Sequence, residues 1–106
     1  MTANETIMTR TIEKLNSIYD FATRYENPAI FYNLKPRAQV TEAKKAVKEL
    51  YCEMIGASEL GINILESLND AEGAKKVFHE RCVLNRKFEQ LQNSIKSVGK
   101  GLEKSL

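Results

Sequence analysis

The chain has 106 residues, of which 42% are hydrophobic and 28% charged, a size and composition typical of one globular domain. Sixteen basic and fourteen acidic side chains give a formal net charge of +2, so composition alone indicates neither a nucleic-acid partner nor a membrane surface. No apolar run approaches the ~20 residues of a membrane span, and residues 1–10 lack the features of a secretory signal. We therefore expect a cytoplasmic protein with a single domain over residues 1–106.

The first predicted element is a helix over about residues 5–25. Thr2 followed by Glu5 matches a capping box at its start, and Asn27 precedes a proline, which disfavours helical backbone at that residue. Apolar residues recur at alternating steps of four and three, which forms one stripe along a helix. The stripe consists of Met8, Ile12, Leu15, Tyr19 and Ala22.

The segment NPAIFYNLKPR (residues 27–37) places apolar side chains between two prolines. We expect Asn27 to cap a short helix that Pro28 begins. The sequence therefore predicts a short apolar helix or plug at 28–34, in which three side chains close the end of the bundle: Ile30, Phe31 and Leu34. An exposed recognition element is the alternative interpretation.

The second predicted helix covers about residues 37–68, with Pro36 suited to its first turn. Gly56 and Gly61 each cost about 1 kcal/mol relative to alanine inside a helix, so a bend or break between them is the alternative to one continuous helix. The apolar three-four alternation nevertheless continues across both glycines. Its members are Val40, Ala43, Val47, Leu50, Met54, Ala57, Gly61, Ile64 and Leu68.

The third predicted helix covers about residues 71–98 and follows a turn signal at Asn69 and Asp70. Gly99 and Gly101 disfavour helix beyond that point, so we expect a frayed C-terminus from about residue 99. The apolar positions keep one phase, interrupted by Arg81: Ala74, Val77, Leu84, Phe88, Leu91, Ile95, Val98 and Leu102. The predicted fold is all-α, an antiparallel bundle of three main helices.

The sequence contains no pattern that predicts catalysis, a metal site or a cofactor. His79 and Cys82 lie three residues apart on the third helix, as two metal ligands would. In an antiparallel hairpin, however, Cys52 lies level with about residue 87, which separates it from Cys82 by ~7.5 Å along the axis. That offset argues against a three-ligand site and against a disulfide, and we expect a protein that is not an enzyme.

The lengths of the predicted helices lead to a functional hypothesis. A short first helix that ends near the start of the second covers about residues 37–57, and leaves the other end of the bundle bare. This predicts a partner-binding surface made of Ile62, Leu65, Leu68, Val77, Phe78 and Arg81. The expected function is non-catalytic protein–protein interaction, as a small inhibitor, adaptor or assembly factor that also forms a homodimer.

Two further hypotheses concern the basic residues of the third helix. A small nucleic-acid-binding regulator would use the basic third helix, through Lys75, Lys76, Arg86 and Lys87. Arg81 either extends its guanidinium from the apolar seam to water or contacts a carboxylate of a partner. No membrane partner is expected.

Overall fold

A computed structural model of the chain describes residues 2–105, with the backbone alone for residues 102–105. It has three helices: α1 at Ala3–Ala22, α2 at Pro36–Ser67 and α3 at Ala71–Ser105. Residues 23–35, the connecting segment, contain two 3₁₀ turns at Thr23–Glu26 and Pro28–Ile30. The described residues contain no strand, and the predicted all-α bundle of three helices is confirmed.

Helix α1 begins where the capping pattern predicted. The Thr2 Oγ1 accepts a hydrogen bond from the backbone N–H of Glu5 at 3.1 Å, which satisfies one of the free donors of the first turn. The α-helix ends at Ala22, and the 3₁₀ turn at Thr23–Glu26 continues it. Asn27 then has an extended backbone, because it precedes a proline.

Helix α2 is continuous through both glycines, so the alternative of a break is not realised. Gly61 is buried against α1, where a Cβ would lie 2.5 Å from Thr11 Cγ2. Glycine at this position therefore allows a close approach of two helices. A Cβ on Gly56 would meet nothing within 4 Å, and no contact explains that glycine.

The turn between α2 and α3 is formed by Asn69 and Asp70, the two residues that the sequence predicted. Asn69 has a φ of 59°, the left-handed region that asparagine tolerates better than most residues. The Asp70 Oδ1 accepts from the N–H of Gly73 at 2.9 Å and so caps α3. The predicted end of this helix near residue 98 was wrong, because the backbone remains helical to Ser105. Gly99 fits there because Val40 of α2 lies within 3.2 Å of where its Cβ would stand.

Helices α2 and α3 form an antiparallel hairpin with constant register. Three cross-helix contacts show it: Val40 with Gly99, the rings of Tyr51 and Phe88 with centroids 5.5 Å apart, and Ser58 with Arg81. In each pair the two residues are equally far from the turn at residues 69 and 70. This register agrees with the predicted level of Cys52 beside residue 87.

Helix α1 packs on the half of the hairpin that contains the turn. Thr11 lies at Gly61, Asn16 Nδ2 donates to Glu80 Oε1 at 3.1 Å, and the Tyr19 ring meets Phe88 edge-on with centroids 5.3 Å apart. Since Gly61 lies outside residues 37–57, the predicted placement of the first helix was wrong. The physical reason lies in the connecting segment, which does not reverse the chain where α1 ends.

The connecting segment instead runs on toward the start of α2. The Gln39 Nε2 donates to the carbonyl oxygens of Phe31 and Leu34, both at 3.1 Å, which holds the segment on the first turns of α2. Phe31 packs on the core and stacks on Tyr25 with ring centroids 5.8 Å apart. Ile30, by contrast, is 41% exposed, so its predicted role in closing the bundle was wrong.

The core runs along all three helices of a molecule that measures 57 × 21 × 18 Å. Its buried apolar side chains are Leu15, Ile18, Ala22, Val40, Ala43, Val47, Met54, Leu65, Ala74, Val77, Leu84, Phe88, Leu91 and Ile95. Among the described residues, no helix is long and apolar enough to cross a membrane.

Candidate functional site

The predicted partner surface divides into buried and exposed residues. Leu65 and Val77 have no exposed area and belong to the core that α1 covers, and Ile62 is half-buried against it. Leu68 and Phe78 remain 46% and 49% exposed. The turn end of the bundle is therefore not bare, and Leu65 and Val77 are unavailable to a partner of the folded chain.

Arg81 is half-buried and has partners within its own chain. Its Nη1 donates to the Oγ of Ser58 at 3.4 Å, and its guanidinium carbon lies 4.8 Å from the centroid of the Phe78 ring. Ser58 has no exposed area, and its hydroxyl donates to the Ile55 carbonyl at 2.7 Å. The arginine that interrupts the apolar seam of α3 thus faces a buried serine that interrupts the seam of α2.

An exposed apolar strip lies on α2 and on Leu68, the residue that follows it, beside α1. Its side chains are four residues apart and therefore share one helical face: Leu60, Ile64 and Leu68, exposed by 62%, 38% and 46%. Leu60 and Ile64 line a depression together with Arg10 and Lys14 of α1. Its volume of about 170 Å³ is below the range of small-molecule sites, so the depression fits a side chain of a partner better than a free ligand.

The four basic residues predicted for nucleic-acid binding are exposed on α3. Lys75 and Arg86 are three turns apart and share one face, whereas Lys76 and Lys87 lie about 100° around the helix from them. The Lys87 Nζ lies 5.5 Å from the centroid of the Tyr19 ring of α1. The four cations are thus spread over about 120° of the surface of one helix.

A different set of cations does line a groove, which lies between the N-terminal half of α2 and the C-terminal half of α3. We call this the basic groove, and its cations are Arg37, Lys44, Lys48, Lys96 and Lys100. It consists of two concavities of about 400 Å³ each that share Lys96. Of the described residues that line it, Glu89 is the one carboxylate, and none belongs to α1 or the connecting segment.

The concavity nearer the turn, which we call the inner part of the basic groove, is lined by three amide side chains and a tyrosine ring: Asn85, Gln92, Asn93 and Tyr51. The Asn85 Oδ1 is buried and receives no hydrogen bond from any residue that the structure describes. A buried acceptor without a donor is uncommon, because its desolvation is then uncompensated. Asn85 lines the groove, but its Oδ1 has no exposed area and is left without a donor among the described residues.

The residues with potential for metal or thiol chemistry are dispersed. Cys52 is exposed and Cys82 half-buried, both as free thiols, and His79 is exposed. Among the described residues, no group of three or more His, Cys, Asp or Glu side chains is positioned to hold a metal ion.

Tyr19 has a perturbed pKa. Burial raises the pKa of the Tyr19 phenol, and the carboxylates of Glu26 and Asp20 raise it further. The ring packs between α1 and α3, so this pKa reports on packing of the bundle rather than on a reactive centre.

Comparison with protein-family models finds no match for this chain, and comparisons with curated proteins and with solved structures find none either.

Proposed function

We propose that the protein is a non-catalytic interaction protein, a small inhibitor, adaptor or assembly factor, which binds another protein through the apolar strip. The observation that carries the proposal is the exposure of Leu60, Ile64 and Leu68 along one face of α2. Contiguous apolar surface of this kind is typical of sites where proteins meet, whereas isolated exposed apolar residues are ordinary.

The geometry of the strip favours a helical partner segment. Its three side chains extend about 12 Å along α2, which is about two helical turns. A partner helix that presents apolar residues three and four apart would lie along the strip with its side chains interleaved. Arg10 and Lys14 at the edge would favour a partner with acidic residues beside its apolar ones.

In this proposal the chain also forms a homodimer through the apolar strip, since a strip on one face of a helix is compatible with a two-fold interface. We place the protein in the cytoplasm. The two free thiols, one of them exposed, suit a reducing compartment. The alternative of a nucleic-acid-binding regulator that uses Lys75, Lys76, Arg86 and Lys87 has less support, because these cations are spread over about 120° of the surface of one helix.

The proposal is tested with a charge placed on the strip. Leu60 is 62% exposed, so Leu60→Glu should leave the fold intact while it places an unpaired carboxylate in an apolar interface. Asn63→Glu adds the same charge at an exposed residue of α2 outside the strip and serves as the control. We expect Leu60→Glu, but not Asn63→Glu, to abolish dimerisation in sedimentation equilibrium or to remove proteins that co-purify from the native host.

The outcome that contradicts the proposal is equally clear. It is a wild-type protein that is monomeric throughout the micromolar range and that co-purifies with the same proteins as both variants. Circular dichroism at 222 nm confirms that each variant remains helical, so loss of binding cannot be attributed to unfolding.

A further inference from the structure

We propose that the basic groove binds a single strand of nucleic acid, with its cations on consecutive phosphates and its amide side chains on a base. The site lies on the side of the hairpin formed by α2 and α3 alone, and it is separate from the apolar strip and from the basic residues predicted on the third helix. The inference therefore does not depend on the protein-binding function.

The charge of the groove is the first argument. Five cations face one carboxylate, Glu89, in a molecule whose formal net charge is only +2, so positive charge is concentrated here. Arg37 also lies in the first turn of α2, where the free N–H groups of the helix terminus add positive potential. A polyanion is the ligand that gains most from such a site, through release of its counterions.

The dimensions of the groove favour a strand. From Arg37 to Lys48 the cations extend about 16 Å along α2, and Lys96 and Lys100 stand opposite on α3. A stacked strand carries one phosphate about every 3.4 Å, so this length accommodates four or five of them. A positively charged groove that follows the backbone over several phosphates is typical of proteins that bind single strands.

The inner part of the groove favours a nucleic acid over an acidic peptide. Asn85, Gln92 and Asn93 offer amide groups, which hydrogen-bond the donor and acceptor edges of bases. The Oδ1 of Asn85 is buried without a donor among the described residues, so a rotation of this side chain into the groove would let it accept an N–H from a base. The carboxylate side chains of an acidic peptide offer acceptors alone, whereas the edges of bases offer these amides both donors and acceptors.

The test is the salt dependence of binding to a fluorescently labelled oligonucleotide of about 20 nucleotides. Five phosphate contacts on a single strand predict a slope of log K against log salt of about −3.5, a fall of roughly 130-fold in affinity between 50 and 200 mM salt. In the Lys44→Gln/Lys96→Gln variant two contacts are lost, so the slope should decrease to about −2 and the fall to roughly 20-fold.

The matched control is Lys75→Gln/Arg86→Gln, which changes the net charge equally on the outer face of α3 and should keep the wild-type slope. An abasic strand of the same length should bind more weakly with an unchanged slope, since it keeps the phosphates and lacks the bases. Three results would each overturn the proposal: no binding at 50 mM salt, equal loss of slope in the control variant, or tighter binding of a duplex or of polyglutamate than of the single strand.

Discussion

The contact between Thr11 and Gly61 provides the most direct test of how α1 packs on the hairpin. A Cβ on Gly61 would lie 2.5 Å from the Cγ2, 2.8 Å from the Oγ1 and 3.1 Å from the Cβ of Thr11. The Oγ1 also donates to the Ile7 carbonyl at 2.7 Å, which restricts rotation of the side chain. In Gly61→Ala, therefore, α1 must move away from α2 or the alanine must overlap with Thr11.

The magnitude follows from comparison with Gly56→Ala. Both substitutions replace a glycine inside α2 and gain about 1 kcal/mol of helix propensity. At Gly56 nothing opposes the gain, since its Cβ would meet no atom within 4 Å. At Gly61 overpacking costs about 1–3 kcal/mol. We expect Gly56→Ala to be more stable than wild type by about 1 kcal/mol and Gly61→Ala to be less stable than Gly56→Ala by about 1–3 kcal/mol.

The assay is urea denaturation followed by circular dichroism at 222 nm, with free energies of unfolding from linear extrapolation. A double variant, Thr11→Ala/Gly61→Ala, removes the two closest atoms and should recover at least ~0.5 kcal/mol of the cost as a coupling energy. If Gly61→Ala were as stabilising as Gly56→Ala, α1 would not pack at residue 61. The packing of α1 over the turn half of the hairpin would then be refuted.

Two further predictions concern a helix cap and a phenol. Asp70→Ala should lower the free energy of unfolding by about 1 kcal/mol, because the N–H of Gly73 loses its acceptor. Asp70→Asn should retain most of that stability, since its side-chain oxygen can still accept. Equal loss of stability in both variants would contradict the cap. The raised pKa of Tyr19 means that the unfolded chain releases this proton first as the pH rises past about 10, so folding stability should fall with rising pH in that range. Tyr19→Phe should show a smaller fall between about pH 8 and about pH 11 in the same urea assay, and an identical fall would contradict the burial of the phenol.

Local signals in the sequence were sufficient for the helices and their N-termini. Thr2, Asn27 and Asp70 act through atoms within three residues of themselves, so their roles follow from neighbours in the chain. The hairpin register was also predictable, because a short turn leaves two antiparallel helices one way to align. The end of α3 was not predictable from the sequence. The helix continues through Gly99, which packs against Val40, a residue distant in the sequence.

The apolar seam of α2 shows where a regular pattern misleads. A three-four alternation that includes Ala57, Ile64 and Leu68 assumes a repeat of 3.5 residues. A straight helix has 3.6 residues per turn, so residues spaced in this way move gradually around the helix and away from the buried face. The buried positions shift accordingly from Ala57 to Ser58 and from Ile64 to Leu65, whereas Gly61 is buried as the alternation predicts. Ile64 and Leu68 move to the side of the helix, and with Leu60 they form the exposed strip.

Sequence alone therefore determined the class of fold, the three helices and the hairpin, because spacing, capping and turn residues act over short distances along the chain. Tertiary structure decided which half of the hairpin α1 covers, and with it which side chains are exposed. The connecting segment allows either placement by its length, and the choice depends on contacts between distant residues such as Thr11 and Gly61. The basic groove likewise exists only in the folded chain, because its lysines come from two helices that are distant in the sequence.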